Sequence, residues 1–229
     1  INKINSICNP KIEALTRGDI EHNDPAQGHK GELYSVTLAD DKKFSFRRHN
    51  SQIASRYAVK PYYKVGKKES LHPIPVIYLG LFRLFPYGEF QQDDRTAKIS
   101  KTLPGEYLAE AASLYKDFTG FDISYTCQQN MGDIKTRAEF RTDCDGIDSN
   151  TVSAGEDNLF IILTALISLK YYYDSIDSAG NRAIESILLI DEFDASLHPA
   201  FQIKLLELFL DYSAKYKIQF AFTTHSFSL

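Results

Sequence analysis

The sequence has little of several features that would assign it to particular classes of protein. Its three cysteines, Cys8, Cys127 and Cys144, are odd in number and lack metal-ligand spacing, so free thiols in a reducing compartment are expected. Its longest apolar run, residues 159–169, is too short to cross a bilayer, and no signal peptide is visible. We therefore expect a cytoplasmic protein that does not associate with a membrane.

Charge and composition exclude further classes. The formal net charge of −4 gives no bulk attraction to nucleic acid or anionic membranes, so any contact with nucleic acid would need a local basic patch. A composition of 43% hydrophobic and 24% charged residues, with few Gly and Pro, is ordinary for a globular chain and excludes a disordered or fibrous one. A chain of 229 residues is long enough for an α/β domain with a sizeable core.

The first part of the chain, residues 1–72, predicts a β-rich arm and a connecting segment. Apolar and polar residues alternate from Leu33 to Arg48 around Asp40-Asp41, a pattern that predicts a β-hairpin. The basic residues Arg47-Arg48-His49 and the segment Lys60–Lys68, which includes Tyr62 and Tyr63, could contact a phosphate backbone and stack on bases. The alternative is a solvated hairpin and loop. Nucleic acid is therefore a possible partner only.

The second part, residues 73–229, is more regular and predicts alternating core strands and helices. Continuous apolar runs predict buried strands, and apolar residues at helical spacing predict helices. We expect short polar strands and turns over residues 121–148. The strands are expected over residues 75–81, 187–190 and 218–222, and the helices over 102–118, 159–173 and 199–216. The last strand, helix and strand form a βαβ unit, which implies a parallel sheet with a right-handed crossover.

Polar residues follow the strands of this predicted unit. Asp191-Glu192 comes directly after one strand and Thr224-His225 after the next. Ligands of open parallel sheets bind beyond the carboxyl ends of the strands, which makes these residues candidates for a binding site. Taken alone, the acid pair could equally be an acidic loop or a helix cap.

A third element of the pattern is the segment Val152-Ser-Ala-Gly-Glu156, just before the predicted buried helix. Small residues there allow backbone N–H groups to face an anion, the helix N-terminus adds partial positive charge, and the Ser153 hydroxyl can donate a further hydrogen bond. Alone, this segment could be a turn with an N-cap. Together with the acids and the histidine, it favours an anion-binding site.

These segments resemble the motifs of an ABC-class ATPase head of the SMC/RecF/OLD type. Residues 152–156 resemble the signature motif, 187–192 the Walker B strand, 223–226 the switch histidine, and 194–199 a D-loop in its Leu-His-Pro form. Phe193 stands where transporter heads carry Pro, which points away from transporters. Residues 75–89 are similar to a segment of the PtuA family, the ATPases of Septu and some retron anti-phage systems. The implied fold is α/β, an ABC-type ATPase head with a largely parallel core sheet flanked by helices, plus a β-hairpin region.

The resemblance implies a role for each matching residue. Asp191 would hold Mg²⁺ through water, Glu192 would activate the attacking water as general base, and His225 would contact the γ-phosphate of ATP. The remaining residues would act across a dimer of heads that sandwiches two nucleotides. Those of the signature, Ser153, Gly155 and Glu156, would clamp the γ-phosphate held by the other copy. Those of the D-loop, Asp194, Ser196 and His198, would lie along the dimer seam.

One required part is missing from the sequence. No Gly-x-x-x-x-Gly-Lys-Ser/Thr occurs, and residues 65–68 lack both the first Gly and the hydroxyl of a phosphate-binding loop. We expect the given chain to be a fragment whose phosphate-binding loop lies upstream of Ile1; the alternative is an inactive relative. The D-loop also carries His198 where transporters keep Asp, and no Q-loop glutamine can be placed.

The resemblance implies an ATP- and Mg²⁺-dependent ATPase that dimerises, or forms a higher oligomer, around ATP and controls a partner nuclease in phage defence. Similarity to PtuA implies the HNH endonuclease PtuB as that partner, and in retrons a reverse transcriptase with its msDNA. Two alternatives stay open. One is a DNA-repair or recombination ATPase of the RecF/Rad50 type, and the other is a nucleotide-binding scaffold that does not hydrolyse.

Overall fold

The computed structural model describes residues 18–19, 26, 28–37, 41, 43–50, 56–62, 74–80, 96–98, 103–131, 135–176, 182–195 and 197–226. The chain divides into two compact units, Asn9–Pro73 and a second unit that contains Ile74–Leu229. In the described part of the chain, no helix is both long and apolar enough to span a membrane.

The unit Asn9–Pro73 is built on one antiparallel sheet. Its strands are β1 (Gly18–Asp19), β2 (Glu32–Thr37), β3 (Lys43–Asn50) and β4 (Arg56–Pro61), in the order β1-β4-β3-β2. The expected hairpin is formed by β2 and β3, and Asp41 adopts a φ of 60° between them. Tyr34 stacks on Phe46 across the pair with their ring centroids 4.9 Å apart, a cross-strand contact that stabilises the hairpin.

The expected basic patch lies partly on this sheet. Arg47 pairs in register with Lys60, and the Arg47 guanidinium lies 5.9 Å from the centroid of the exposed Tyr62 ring. Residues 63–73, including Tyr63 and Lys68, lie outside the described residues, and for His49 only the backbone is described. Contact with nucleic acid therefore stays a prediction.

A parallel sheet forms the centre of the second unit. Its strands are β5 (Val76–Leu79), β9 (Ser186–Ile190) and β10 (Ile218–Phe222), in the order β10-β9-β5. Helix α3 (Pro199–Tyr216) connects β9 to β10, which is the expected βαβ unit. The predicted bounds of β10 and α3 are those of the structure. These bounds could be predicted because α3 has a proline at its first helical position and a regular apolar stripe.

Helix α2 (Ala154–Asp174) is the most deeply buried element. Among the described elements, it contacts helices α1 (Gly105–Thr119) and α3 and strands β8 (Lys135–Thr142) and β9. Residues 159–169 are buried along their whole length, as the largely apolar run predicted. The helix begins five residues before the predicted start at Leu159, because polar residues in its first turn are held by an N-terminal cap. The α/β fold class, with a parallel sheet flanked by helices, is confirmed.

A second antiparallel sheet corrects the expectation of short strands over residues 121–148. It contains β6 (Thr96–Lys98), β7 (Ile123–Met131) and β8 (Lys135–Thr142) in the order β6-β7-β8. In the side chains that are described, Ile123 and Phe140 are buried, and Phe140 packs against Tyr115 and Phe160 at centroid distances of 5.5 and 5.3 Å. A few inward-facing residues in otherwise polar strands give only a weak alternating signal, so the sequence suggested shorter strands.

Candidate functional site

The carboxyl ends of the three parallel strands are joined by backbone hydrogen bonds. The Asp191 N–H donates to the Leu79 carbonyl at 2.8 Å, and the Thr223 N–H donates to the Ile190 carbonyl at 3.0 Å. The Phe193 N–H returns a bond to the Thr223 carbonyl at 2.9 Å. These bonds place the residues that follow β9 and β10 side by side, at the edge of the sheet where ligands of parallel sheets bind.

The Thr223 hydroxyl connects the two acids that follow β9. It donates to Asp191 Oδ1 at 2.7 Å and accepts the Glu192 N–H at 2.8 Å. Tyr78, on β5, donates its hydroxyl to the other oxygen of Asp191, Oδ2, at 3.4 Å. Asp191 is therefore oriented from both sides, by Tyr78 on β5 and by Thr223 directly after β10.

Glu192 is held in an unusual backbone conformation. Its φ of 55° lies in the left-handed region, which costs a residue with a Cβ about 1–2 kcal/mol. The bond from its N–H to Thr223 and a bond from the Ala195 N–H to its carbonyl, at 2.9 Å, support that conformation. Backbone strain of this kind concentrates at functional sites and supports a hypothesis of function.

The histidine also follows β10, two residues after Thr223. His225 Nε2 lies 4.0 Å from Glu192 Oε1, and the His225 side chain is 84% exposed. The His225 N–H donates to Asp194 Oδ1 at 3.0 Å. Hydrogen bonds from the Thr224 hydroxyl and from the His225 N–H lower the pKa of Asp194. The residues Asp191–Asp194, called the acidic loop below, are thus joined to the end of β10 at several points.

One further D-loop residue lies at the start of helix α3. His198 is the N-cap, and its Nδ1 accepts the Ala200 N–H at 3.2 Å. The buried Gln202 donates to the Leu197 carbonyl at 2.9 Å, which fixes the chain between the acidic loop and the helix. Ser196 lies outside the described residues.

The signature loop, residues Val152–Glu156, forms the N-terminus of the buried helix α2. Ser153 is the N-cap, and its Oγ accepts the Glu156 N–H at 3.2 Å while Glu156 Oε2 accepts the Ser153 N–H at 2.8 Å. This reciprocal pair is a capping box. The N–H groups of Ala154 and Gly155 lie between the two that the cap uses, those of Ser153 and Glu156. The structure thus gives Glu156 a capping role, because its carboxylate is turned back onto the backbone of its own helix.

The acid pair fits a magnesium ion that arrives with a nucleotide better than one held by the protein alone. Among the residues that the structure describes, no group of three or more His, Cys, Asp or Glu side chains could hold a metal ion. Mg²⁺ in phosphate-transferring sites commonly keeps several waters and takes one or two carboxylates plus phosphate oxygens. Both Asp191 oxygens accept hydroxyl donors, an arrangement that suits contact through water.

Three residues of this site went unassigned in the sequence. Thr223 and Tyr78 orient Asp191, and Gly80 makes room for Tyr78, because a Cβ at Gly80 would lie 2.9 Å from the Tyr78 ring. The available signal was position: each lies in or directly after a core strand whose neighbour ends in the acid pair.

Comparison with known families agrees with this arrangement. Residues 19–229 match the family described as AAA domain, putative AbiEii toxin, Type IV TA system. The chain belongs to this family. A search of curated proteins gave no match. Membership supports a nucleotide-binding, ATPase-type domain of the P-loop class, and it is consistent with the parallel sheet and flanking helices described above.

Proposed function

We propose that this chain is part of an ABC-type ATPase head that binds and hydrolyses ATP as a dimer. The observation that carries the proposal is the set of hydrogen bonds made by Thr223, which join the two acids after β9 to the segment after β10 that bears His225. Phosphoryl transfer depends mainly on positioning and charge stabilisation, and this edge of the sheet provides positioned acids next to a histidine.

Each residue at the strand ends has a distinct role in the proposed reaction. Asp191 would hold Mg²⁺ through the water shell of the ion, and a bound Mg²⁺ would neutralise charge on the phosphate oxygens. Glu192 accepts the proton of the attacking water, because its carboxylate is partly exposed and faces the same side as His225. His225 contacts the γ-phosphate as a donor, and its high exposure leaves it accessible to a nucleotide.

The signature loop acts on the nucleotide of a second copy. Ser153 uses an acceptor lone pair of its hydroxyl in the cap, so the hydroxyl proton can still be donated to an anion. The N–H groups of Ala154 and Gly155 lie at the positive end of the helix dipole and supply two further donors. Glu156 contributes by fixing the cap, since its carboxylate would repel a γ-phosphate at close range.

Hydrolysis requires a phosphate-binding loop from outside these 229 residues. In the described part of the chain, β10 pairs with β9 and has no strand on its other side. An apolar groove lies beside this strand, lined by residues that include Ile184, Leu206, Leu210 and Phe222. Parallel strands are normally buried within larger sheets, and we therefore place the strand that carries the phosphate-binding loop at this edge.

The biological role that we propose is anti-phage defence in the cytoplasm. It is supported by the likeness of residues 75–89 to the PtuA family; residues 81–89 of that segment lie outside the described part of the chain. The expected partner is an HNH nuclease of the PtuB type, joined in retron systems by a reverse transcriptase and its msDNA. The description of the matched family names a toxin of a type IV system, which favours growth inhibition of the host as a second candidate role.

The catalytic proposal is tested by Glu192→Gln in the full-length protein that includes the phosphate-binding loop. Loss of a positioned base should lower kcat for ATP hydrolysis about 10²–10⁴-fold while nucleotide binding persists. Glu207→Gln, at an exposed acid on α3, is the matched control and should hydrolyse at the wild-type rate. A wild-type rate for Glu192→Gln would remove Glu192 from this role. Expression of both variants with and without the nuclease, followed by growth and phage plating, separates defence from host toxicity.

A further inference from the structure

The hydroxyl of Thr223 contacts both halves of the acid pair. One oxygen atom donates to the Asp191 carboxylate and accepts the Glu192 backbone N–H, at 2.7 and 2.8 Å. The same residue is bonded through its backbone to Ile190 and Phe193, on either side of the pair. These backbone bonds alone fix the position of Thr223 relative to the acidic loop.

The two side-chain bonds have different consequences. The bond to Asp191 sets which way that carboxylate faces. The bond from Glu192 supports a backbone with φ of 55°, a conformation that sets the direction in which the Glu192 side chain leaves the chain. Valine has nearly the shape of threonine but can neither donate nor accept, so it would break both bonds without leaving a cavity.

We propose that Thr223 is a positioning residue of the ATPase site: its hydroxyl holds Asp191 and Glu192 in the geometry needed for hydrolysis. This inference rests on the proposed function. Thr223 acts through the two acids, and Tyr78 assists it from the opposite side of Asp191. Because Thr223 lies two residues before His225, movement of the end of β10 alters the acids and the histidine together.

The test compares Thr223→Val with Thr223→Ser in the full-length protein. A small misplacement of catalytic groups can cost about 10²-fold in rate, so Thr223→Val should lower kcat roughly 10–100-fold with KM for ATP changed less than about threefold. Thr223→Ser keeps the hydroxyl and should restore kcat to within about threefold of wild type. Thr119→Val is the matched control, because the Thr119 hydroxyl also donates one hydrogen bond, to the Tyr115 carbonyl, and accepts one, from the Phe121 N–H. It should leave kcat unchanged.

A second measurement, amide hydrogen exchange at Glu192 followed by NMR, does not depend on activity. Thr223→Val should speed exchange of the Glu192 N–H about tenfold or more, since its acceptor is lost, and Thr223→Ser should not. Wild-type kcat in Thr223→Val, or unchanged exchange at Glu192, would overturn the inference. If the wild-type protein hydrolyses no ATP while exchange responds as expected, the proposed function fails and the positioning of Glu192 by Thr223 stands.

Discussion

Ser153 gives a way to separate the stability of the signature loop from its proposed function. Its Oγ accepts the Glu156 N–H at 3.2 Å, and replacement of such a cap by Ala typically costs about 1 kcal/mol. For a chain of this size, 1 kcal/mol corresponds to a Tm lower by roughly 2–4 °C. Ser153→Ala should therefore lower the Tm by that amount, measured by calorimetry without nucleotide.

Two other substitutions keep the cap but change the charge. Asn and Asp cap helices as well as Ser does, so Ser153→Asn and Ser153→Asp should both keep the Tm within about 1 °C of wild type. A carboxylate at this position would repel the γ-phosphate of a second copy, whereas the Asn amide can donate to it. Sedimentation in ATP should therefore show loss of pairing for Ser153→Asp and partial retention for Ser153→Asn.

Each arm of this experiment can fail separately. An unchanged Tm in Ser153→Ala would show that the capping box contributes nothing to stability. Wild-type pairing in Ser153→Asp would show that the signature loop does not face a phosphate across the dimer. A Ser153 variant that cannot bind ATP even as a single head would show that the signature loop contacts the nucleotide of its own copy. That result would refute the ABC interpretation, in which the loop contacts the nucleotide of the other copy.

Three further predictions concern the second unit. Leu163→Ala, at a fully buried position of α2, should lower the free energy of unfolding by about 2–5 kcal/mol in denaturant titrations. Lys170→Met removes the cationic partner of the partly buried Glu110 at 2.7 Å, leaves Glu110 the hydrogen bond from the Tyr212 hydroxyl, and should cost roughly 1–3 kcal/mol. Lys215→Met, in an exposed pair, should cost less, and equal costs would contradict this. Burial first, and then a neighbouring carboxylate, raise the pKa of Tyr107 from 10.0 to about 12, so its contribution to stability is present below pH 10 and lost as pH rises toward 12. Phenolate absorbance should lose a step near pH 12 in Tyr107→Phe, and loss of a step near pH 10 instead would contradict the raised pKa.

The sequence was most informative where one physical factor dominated. Residues 199–216 carry a proline at the first helical position and one apolar stripe, and the helix has those bounds. The run 159–169 could pack only in a core, and it does. The parallel direction of β9 and β10 followed from the length of the connection between them, since a helix must return the chain to the same edge.

The hydrogen bonds of the site could not be obtained in the same way, because they depend on register between strands that are distant in sequence. Leu79 is opposite Ile190, and Ile190 is opposite Phe222. That register alone places Thr223 beside Asp191 and brings the Tyr78 hydroxyl within reach of it. A shift of one residue in either pair would turn these side chains to the other face of the sheet, and no local pattern in the sequence distinguishes the two registers.

The signature loop and the D-loop can both cap a helix and bind an anion, because each cap uses only an acceptor of its polar side chain and leaves the donor available. Ser153 and His198 are both N-caps, and each accepts a backbone N–H of its own helix. Ser153 keeps a hydroxyl proton to donate. His198 accepts at Nδ1, so in the neutral ring the proton is on Nε2, which can donate outward from an exposed position. A cap therefore orients a donor at the start of each helix, where the helix dipole already favours an anion. It follows that alanine substitutions at these positions report stability and function together, and that substitutions which retain the cap are needed to tell the two apart.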